Sequence, residues 1–460
     1  MARRKSALWK PVGVMVLAWS CCGAQPDKTV VVLGTRAGDA ESLGGRTAEA
    51  YRARGYGIVN MALVGSGLDL GVDITVATRR PRAQAKVAQF ILTHNPEITI
   101  THCIGEGGVA NHGAADLVYR AWQDARRKGA RLGQLWFKVP DDHAGMMSEP
   151  SFRRFFERTR QGDYFVVADA QSPAAETSQF QTGPPPAYRP PTGRQPVVMA
   201  FGAHADDVEW GFGGTLAKLI EQGWKGIYVV AINNTAGNHL DSVHEQPGPE
   251  DCLNIQKVIG PFPSDALESI QIRQEESRRA AAVYGAQPEF LNLHETYFWL
   301  GRKEIYFYDP RWPLFDPPGT GIVTSAASGS KGLDLATELI KRYQPDVVLA
   351  MLLADRNPEH GETGDVTYRA FVRAAREGAH VGQLWMSMRD RPQYLERVRI
   401  DPDISVDVTN QIPRVLAALE EHVSQGQKSA ANRARLDRFR VDGRYYEHFV
   451  LVVNGKSPAQ

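Results

Sequence analysis

The chain has 460 residues, enough for two domains that each bury a sizeable core. Charged residues make up 23% and the formal net charge is +1, which excludes the strongly basic surface typical of nucleic-acid binding. A hydrophobic share of 43% is ordinary for a globular protein and excludes a disordered or fibrous chain.

The N-terminal residues have the pattern of an export signal. Basic residues at positions 3–5 precede the apolar segment 12–19, and small residues follow up to Ala24. A basic start, an apolar stretch of about 7–15 residues and small residues after it are typical of a secretory signal. We predict a signal peptide over residues 1–24 and a periplasmic or extracellular protein. A lipid anchor on one of the two cysteines of this segment and a disordered tail are the alternatives.

Residues 170–196 are rich in Pro, Gly, Ser, Thr and Gln, which is typical of a linker. They divide the chain into two halves, 25–169 and 197–460, that resemble each other. The clearest repeat has identical spacing in both halves: Tyr119-Arg120-Ala121, Gly129-Ala130 and Gly133 to Trp136 recur as Tyr368-Arg369-Ala370, Gly378-Ala379 and Gly382 to Trp385. This indicates a duplicated α/β unit.

The second half begins with an apolar run, Val197 to Phe201, that predicts a buried strand. A polar cluster, His204 to Glu209, follows it, then a glycine-rich stretch over 211–215 predicted as a turn, and then a helix over 216–221. Open α/β sheets place their ligand sites at the carboxyl ends of strands. One histidine and two adjacent carboxylates there suit a divalent metal with a neighbouring base.

A metal-activated water needs about three protein ligands and an open coordination position. His204 and Asp207 supply two, and His360, which follows the buried strand predicted within 346–353, is the natural third. Asp206 then takes a proton from the water and passes it towards the leaving nitrogen. Spacing alone does not decide which of the two adjacent aspartates takes which role. Zinc, iron, cobalt and manganese all fit such a ligand set.

Each of these residues also has a plainer interpretation. Asp on a turn often caps the helix that follows, and a lone histidine such as His360 is usually a hydrogen-bonded residue without a metal. The occurrence of both clusters at strand ends favours the metal site.

The first half lacks the same chemistry. Arg36 stands where the second half has His204, and Gly38 stands where it has Asp206. A guanidinium does not ligate metals in proteins and repels a dication. We therefore predict a catalytically silent first half that packs against the second.

An aromatic-rich segment over about 295–330 separates the predicted helix around Arg273 from the strand within 346–353. One hypothesis is that it covers the metal site and offers flat aromatic faces to a ring or an apolar group of the substrate. The other is that it packs against the first half as a satellite core. The two are compatible.

Ala203 to Glu209, with Gly211 to Ala217, resembles the signature of the LmbE-like, or PIG-L-type, zinc-dependent de-N-acetylases. That family has a Rossmann-like fold and removes acetyl groups from N-acetylglucosaminyl compounds. Ala205 departs from the proline usual at its position. Arg273 and Glu276 resemble the family's Arg-x-x-Glu helix. His422, Ser424 and Gln425 resemble the family's C-terminal part.

The resemblance implies a role for seven residues. They are His204, Asp207 and His360 as zinc ligands, Asp206 as the base, Arg273 and Glu295 as substrate-binding residues, and Asn357 in place of a second catalytic histidine. An asparagine amide can donate a hydrogen bond to an oxyanion but cannot shuttle a proton.

We predict an α/β fold, Rossmann-like, with mostly parallel sheets flanked by helices and a degenerate N-terminal copy. The predicted function is zinc-dependent removal of an acetyl group from an N-acetylglucosamine-type sugar or conjugate, with no nucleic-acid partner and no transmembrane span. The alternatives are a metal-dependent amidase on a non-sugar or lipid-linked amide, and a catalytically silent glycan-binding protein. The sequence leaves the oligomeric state open.

Overall fold

The computed structural model describes most of both halves. Its ranges are 28–36, 38–63, 80–102, 109–138, 160–161, 164–167, 193–234, 264–293, 297–300, 303–306, 330–352, 358–389, 402–425, 429–437 and 440–454. The predicted signal peptide and most of the predicted linker lie outside the described residues.

The first half contains a six-stranded sheet in the order β2-β1-β3-β4-β6-β5. Its strands and helices are β1 (Thr29–Gly34), α1 (Asp39–Ala53), β2 (Gly57–Ala62), α2 (Arg80–His94), β3 (Ile98–His102), α3 (Val109–Arg127), β4 (Gln134–Lys138), β5 (Arg160–Gln161) and β6 (Tyr164–Val167). Strands β1 to β4 pair in parallel, whereas β6 pairs antiparallel with β4 and β5.

The second half contains an eight-stranded sheet in the order β14-β16-β13-β12-β7-β8-β9, with β15 paired to β16, and a separate hairpin of β10 and β11. Its elements are β7 (Val197–Gly202), α4 (Asp207–Glu221), β8 (Lys225–Ile232), α5 (Ser264–Tyr284), β9 (Gln287–Leu293), β10 (Tyr297–Leu300), β11 (Lys303–Tyr306), α6 (Ser330–Tyr343), β12 (Val347–Ala350), α7 (Pro358–Arg376), β13 (Gln383–Ser387), β14 (Ile404–Asp407), α8 (Ile412–Glu420), α9 (Ser429–Leu436), β15 (Arg440–Val441) and β16 (Arg444–Asn454). Two 3₁₀ turns, Thr409–Gln411 and Val423–Gln425, flank α8.

The predicted fold class is confirmed, since both sheets are mostly parallel and are flanked by helices. The central parallel strands are continuous apolar runs such as Val198 to Phe201 and Val347 to Ala350, whose residues are all buried. Such runs are typical of parallel strands with helices on both faces, because neither face meets water. Among the described helices, none combines the length and apolar character needed to cross a bilayer.

The two halves pack through one helix from each half. Helix α3 follows β3 in the first sheet, α7 follows β12 in the second, and these two helices contact each other. Buried side chains from both halves, such as Trp122 of α3 and Phe371 of α7, belong to one continuous apolar core. The halves therefore share a hydrophobic core.

The glycine-rich stretch predicted as a turn lies inside helix α4, so that prediction is wrong. The helix is broken at Phe212, and the backbone N–H groups of Gly214 and Thr215 donate hydrogen bonds of 2.8 and 2.7 Å to the carboxylate of Glu447. That carboxylate satisfies two donors that the break leaves without helical acceptors. A Cβ at Gly214 would lie 2.6 Å from the Cβ of Val408. Glycine is required there by close packing and not by a turn.

Candidate metal centre

The turn between β7 and α4 carries His204, Asp206 and Asp207. The Asp207 carboxylate accepts a hydrogen bond of 2.7 Å from the backbone N–H of His204, which closes the turn. The side chain of Asp206 makes no capping hydrogen bond to α4, so the helix-capping interpretation does not account for this residue.

Asp206 has φ 109° and ψ −14°, a left-handed conformation that is costly for a residue with a side chain. At the corresponding place of the first half, Gly38 precedes α1 with φ 88° and ψ −20°. Glycine adopts this conformation without steric cost. The two turns thus have the same shape, and only the second carries a carboxylate at the strained position.

The three predicted metal ligands lie together. Ligand atoms of His204, Asp207 and His360 are all within 4.8 Å of one another. His360 reaches the cluster from the first turn of α7, because its preceding strand β12 pairs in parallel with β7 and both strands end at the same sheet edge. Two imidazole nitrogens and one carboxylate are the kind of three-residue ligand set that holds a catalytic zinc ion.

The two oxygens of Asp207 face different imidazoles. Oδ2 lies 3.2 Å from Nδ1 of His204, and Oδ1 lies 3.3 Å from Nε2 of His360. Burial alone would raise the pKa of Asp207, but the two histidines hold it well below its usual value. The carboxylate is therefore ionised at neutral pH, as metal binding requires.

Glu359, which sequence reasoning missed, completes the surroundings of His204. It is fully buried, and its Oε2 lies 2.6 Å from Nε2 of His204. Burial alone would lower the pKa of His204, whereas the hydrogen bonds with Asp207 and Glu359 raise it to about 10. The negative charges of Asp207 and Glu359 favour a cation in the cluster. This cation is either a proton on His204 or a metal ion that replaces the proton. In the sequence, the signal for Glu359 is its position directly before the predicted metal ligand His360.

Asp206 lies beside this cluster and is half-buried. Burial is the main cause that raises its pKa, and the neighbouring carboxylates Asp207 and Glu209 raise it further. The charges of Arg273 and His422 act in the opposite direction. A carboxyl group with a raised proton affinity next to a metal site has the chemistry of a general base.

Arg273 lies on α5 behind the turn and is only 2% exposed. Its Nη2 donates a hydrogen bond to the backbone oxygen of Ala205, and its Nη1 lies 3.5 Å from Glu276. Glu276 in turn accepts hydrogen bonds from the backbone N–H and the hydroxyl of Ser424, at 2.6 and 2.8 Å. The residues that resemble the family's C-terminal part thus stand directly behind the site. The substrate contact predicted for Arg273 stays a prediction.

Asn357 and Glu295 lie outside the described residues, as does most of the aromatic-rich segment apart from the β10–β11 hairpin. Their predicted roles stay predictions.

Comparison with known proteins gives the class of this site. Residues 199–371 match the model of the PIG-L family, described as GlcNAc-PI de-N-acetylase. An uncharacterised deacetylase of Escherichia coli K12, YaiS, is 39% identical over 64 residues, which make up 14% of this chain and 32% of that protein. The chain thus spans about a third of the length of this curated relative.

Two solved structures show a more distant similarity. The N,N'-diacetylchitobiose deacetylase of Pyrococcus horikoshii is 18% identical, with a TM-score of 0.36 over 56% of this chain and 84% of that chain. GalB, the 4-carboxy-2-hydroxymuconate hydratase of Pseudomonas putida KT2440, is 20% identical, with a TM-score of 0.38 over 56% of this chain and 97% of that chain. Likeness at this distance carries no argument about activity.

The site lies within the range that matches the PIG-L family. Residues 199–371, which match that family model, contain His204, Asp206, Asp207, Arg273 and His360. The resemblance predicted from the sequence is confirmed for this part of the chain.

Proposed function

We propose that the protein is a metal-dependent de-N-acetylase that hydrolyses the acetamide of an N-acetylglucosamine-type sugar or conjugate. The observation that carries this proposal is the strained Asp206 beside the His204, Asp207 and His360 cluster. The corresponding turn of the first half has Gly38, which is unstrained in this conformation. The same conformation at Asp206 lowers the stability of the fold. Strain of this kind is typical of functional positions.

In this proposal His204, Asp207 and His360 hold one divalent ion, with zinc as the first candidate. When bound, the ion supplies a Lewis acid that activates water and polarises the amide carbonyl. Asp206 accepts the proton of the attacking water and returns it to the amide nitrogen as the C–N bond breaks, which yields acetate and a free amine. The side-chain amide of Asn357 donates a hydrogen bond to the oxyanion.

The substrate class rests on the family match, whose description is a deacetylase of an N-acetylglucosaminyl lipid. Glu295 and the aromatic-rich segment are the proposed sugar contacts. An amidase on a non-sugar amide and a glycan-binding protein without turnover remain the competing functions, and the substrate panel below separates them.

We also propose that 25–169 is a degenerate copy of the catalytic unit 197–460, joined to it by the linker 170–196. Four parallel strands of the first sheet, in the order β2-β1-β3-β4, correspond to four parallel strands of the second sheet in the order β8-β7-β12-β13. The turn is also repeated, since Asp39 accepts a 2.7 Å hydrogen bond from the backbone N–H of Arg36 as Asp207 does from that of His204. Arg36 at the ligand position leaves this copy without metal chemistry. Export through the 1–24 signal peptide belongs to the same proposal.

The test is free-amine release from a panel of N-acetylglucosaminides and simple acetamides by zinc-loaded protein. We expect release by the wild type, and loss of release with retained zinc for both Asp206→Asn and Asp206→Gly. We also expect Asp206→Gly to raise the free energy of unfolding by roughly 1 kcal/mol, because glycine relieves the strain. Release from the acetamides alone would favour the non-sugar amidase. Zinc binding without any release would favour the glycan-binding protein.

A further inference from the structure

The turn that presents Asp206 is held from two sides. On one side, Oδ1 of Asn234 accepts a hydrogen bond of 3.0 Å from the backbone N–H of Ala205, and Nδ2 of Asn234 donates one of 2.7 Å to the backbone oxygen of Ile232. On the other side, the guanidinium of Arg273 donates to the backbone oxygen of Ala205. Ala205 is itself fully buried, so its polar backbone groups depend on these partners.

The carbonyl of Ala205 belongs to the peptide unit that joins it to Asp206. The orientation of this peptide plane is set by ψ of Ala205 and φ of Asp206, and a donor fixed on the oxygen fixes both angles. Because φ of Asp206 is 109°, the peptide tends to rotate towards an unstrained conformation if the donor is lost. Such a rotation would turn the carboxylate away from its place beside Asp207.

Arg273 is in turn held by buried partners. Glu276 is 2% exposed and pairs with the guanidinium, and Ser424 donates two hydrogen bonds to Glu276. A continuous chain of polar contacts therefore runs from Ser424 through Glu276 and Arg273 to the Ala205 carbonyl. A guanidinium that is 2% exposed and bonded to the backbone presents little surface to a substrate.

We propose that Arg273 is a positioning residue, which holds the Ala205–Asp206 peptide in the catalytic orientation, with Glu276 and Ser424 fixing its guanidinium. This rests on the proposed function in that Asp206 is taken as the base. It differs from the substrate contact that family resemblance implies for Arg273. A positioning role lowers kcat and leaves KM unchanged, whereas a substrate contact acts on KM.

The kinetic test compares Arg273→Ala with the control Arg278→Ala. Arg278 is an exposed arginine of the same helix and pairs with Glu275. We expect kcat of Arg273→Ala to fall on the order of 100-fold, as for a misplaced catalytic group, with KM and zinc affinity unchanged. Millimolar guanidinium should restore part of this kcat and methylammonium should not, because only the planar cation replaces the lost donors. Arg278→Ala should match the wild type. A raised KM with unchanged kcat would overturn the proposal.

A second variant guards against misfolding of Arg273→Ala. Ser424→Ala removes one hydrogen bond to Glu276 and lies outside the metal cluster. We expect a decrease in kcat of about three- to fivefold with unchanged KM, the effect of one hydrogen bond. An unchanged kcat would contradict the chain of contacts.

A measurement without substrate separates this proposal from the proposed function. In a crystal structure of Arg273→Ala, or of Arg273→Lys if the alanine variant does not fold, we expect Asp206 to leave the left-handed region. An unaltered φ at Asp206 would overturn the positioning role. Absence of amine release from the wild type would instead count against the proposed function. The conformation of Asp206 in the variant would still show whether Arg273 positions it.

Discussion

At the residue scale, Glu359 contacts His204 of the predicted metal cluster. Its carboxylate is fully buried and lies 2.6 Å from Nε2 of His204, so that Nδ1 of the ring faces Asp207. A carboxylate on the outer nitrogen of a ligand histidine fixes the ring and its tautomer, and its loss typically costs 10–100-fold in metal affinity.

We therefore expect Glu359→Gln to weaken zinc binding by about 10–100-fold, measured by competition with a chelator. Glu377→Gln is the matched control, because Glu377 is exposed directly after the same helix and pairs with Lys341 and Arg373. This variant should bind zinc as the wild type does. Equal zinc affinity for Glu359→Gln and the wild type would show that Glu359 does not orient the ligand.

Asp39 gives the first half a pH-dependent contribution to stability. Burial alone would raise its pKa, but His102, whose Nε2 lies 3.6 Å from the carboxylate, and the hydrogen bond from the backbone N–H of Arg36 leave it lower than usual. A carboxyl whose folded pKa is depressed stabilises the fold above its unfolded pKa of about 3.9, and this contribution is lost as the pH falls through the folded value.

The corresponding prediction concerns Asp39→Asn in urea unfolding. At pH 7 we expect its free energy of unfolding to lie roughly 1 kcal/mol below that of the wild type, the usual net value of a lost hydrogen-bonding interaction. The difference should shrink between pH 5 and pH 3. A difference that is equal at both ends of this range would show that the charge of Asp39 is not responsible.

At the scale of elements, helix α4 shows why two of its three glycines, Gly211 and Gly214, are not equivalent. A Cβ at Gly214 would meet Val408 at 2.6 Å, whereas a Cβ at Gly211 would find its nearest neighbours at 3.9 Å. Neither glycine has the left-handed conformation, so packing alone distinguishes them.

We expect Gly214→Ala to lower the free energy of unfolding by roughly 1–3 kcal/mol, because overpacking shifts the strand region around Val408. Gly211→Ala should be neutral or slightly stabilising, since alanine has the higher helix propensity. Thermal unfolding of both variants measures the difference. Equal Tm values would contradict the packing argument.

The surroundings of helix α4 show which features the sequence predicts and which it does not. The strands β7 and β12 were predictable from local apolar runs, and the two polar clusters at their ends followed from the rule for parallel sheets. The sequence predicts a turn for the glycine-rich stretch because the residues that determine its helical structure, Val408 and Glu447, lie more than 190 residues away in the chain. The burial of Arg273 against the Ala205 carbonyl was beyond reach for the same reason, since α5 and the turn meet only in the folded chain.

At the scale of the whole molecule, the two halves should unfold together. Helix α7, which carries His360, packs against α3 of the first half, and one apolar core contains residues of both. We expect differential scanning calorimetry of the full chain to show one cooperative transition, shifted to a higher temperature as a whole by zinc, because an ion that binds only the folded state stabilises it by mass action. Two separate transitions, with only one responding to zinc, would mean that the halves are independent.

The most direct measurement is a zinc titration of the metal-free full chain, with amine release from an N-acetylglucosaminide followed at each step. We expect no release from the metal-free protein and a rate that rises until one zinc is bound per chain. We expect His360→Ala to show neither tight zinc binding nor release. Release that is independent of metal, or that survives in His360→Ala, would contradict the assignment of His204, Asp207 and His360 as the catalytic metal centre.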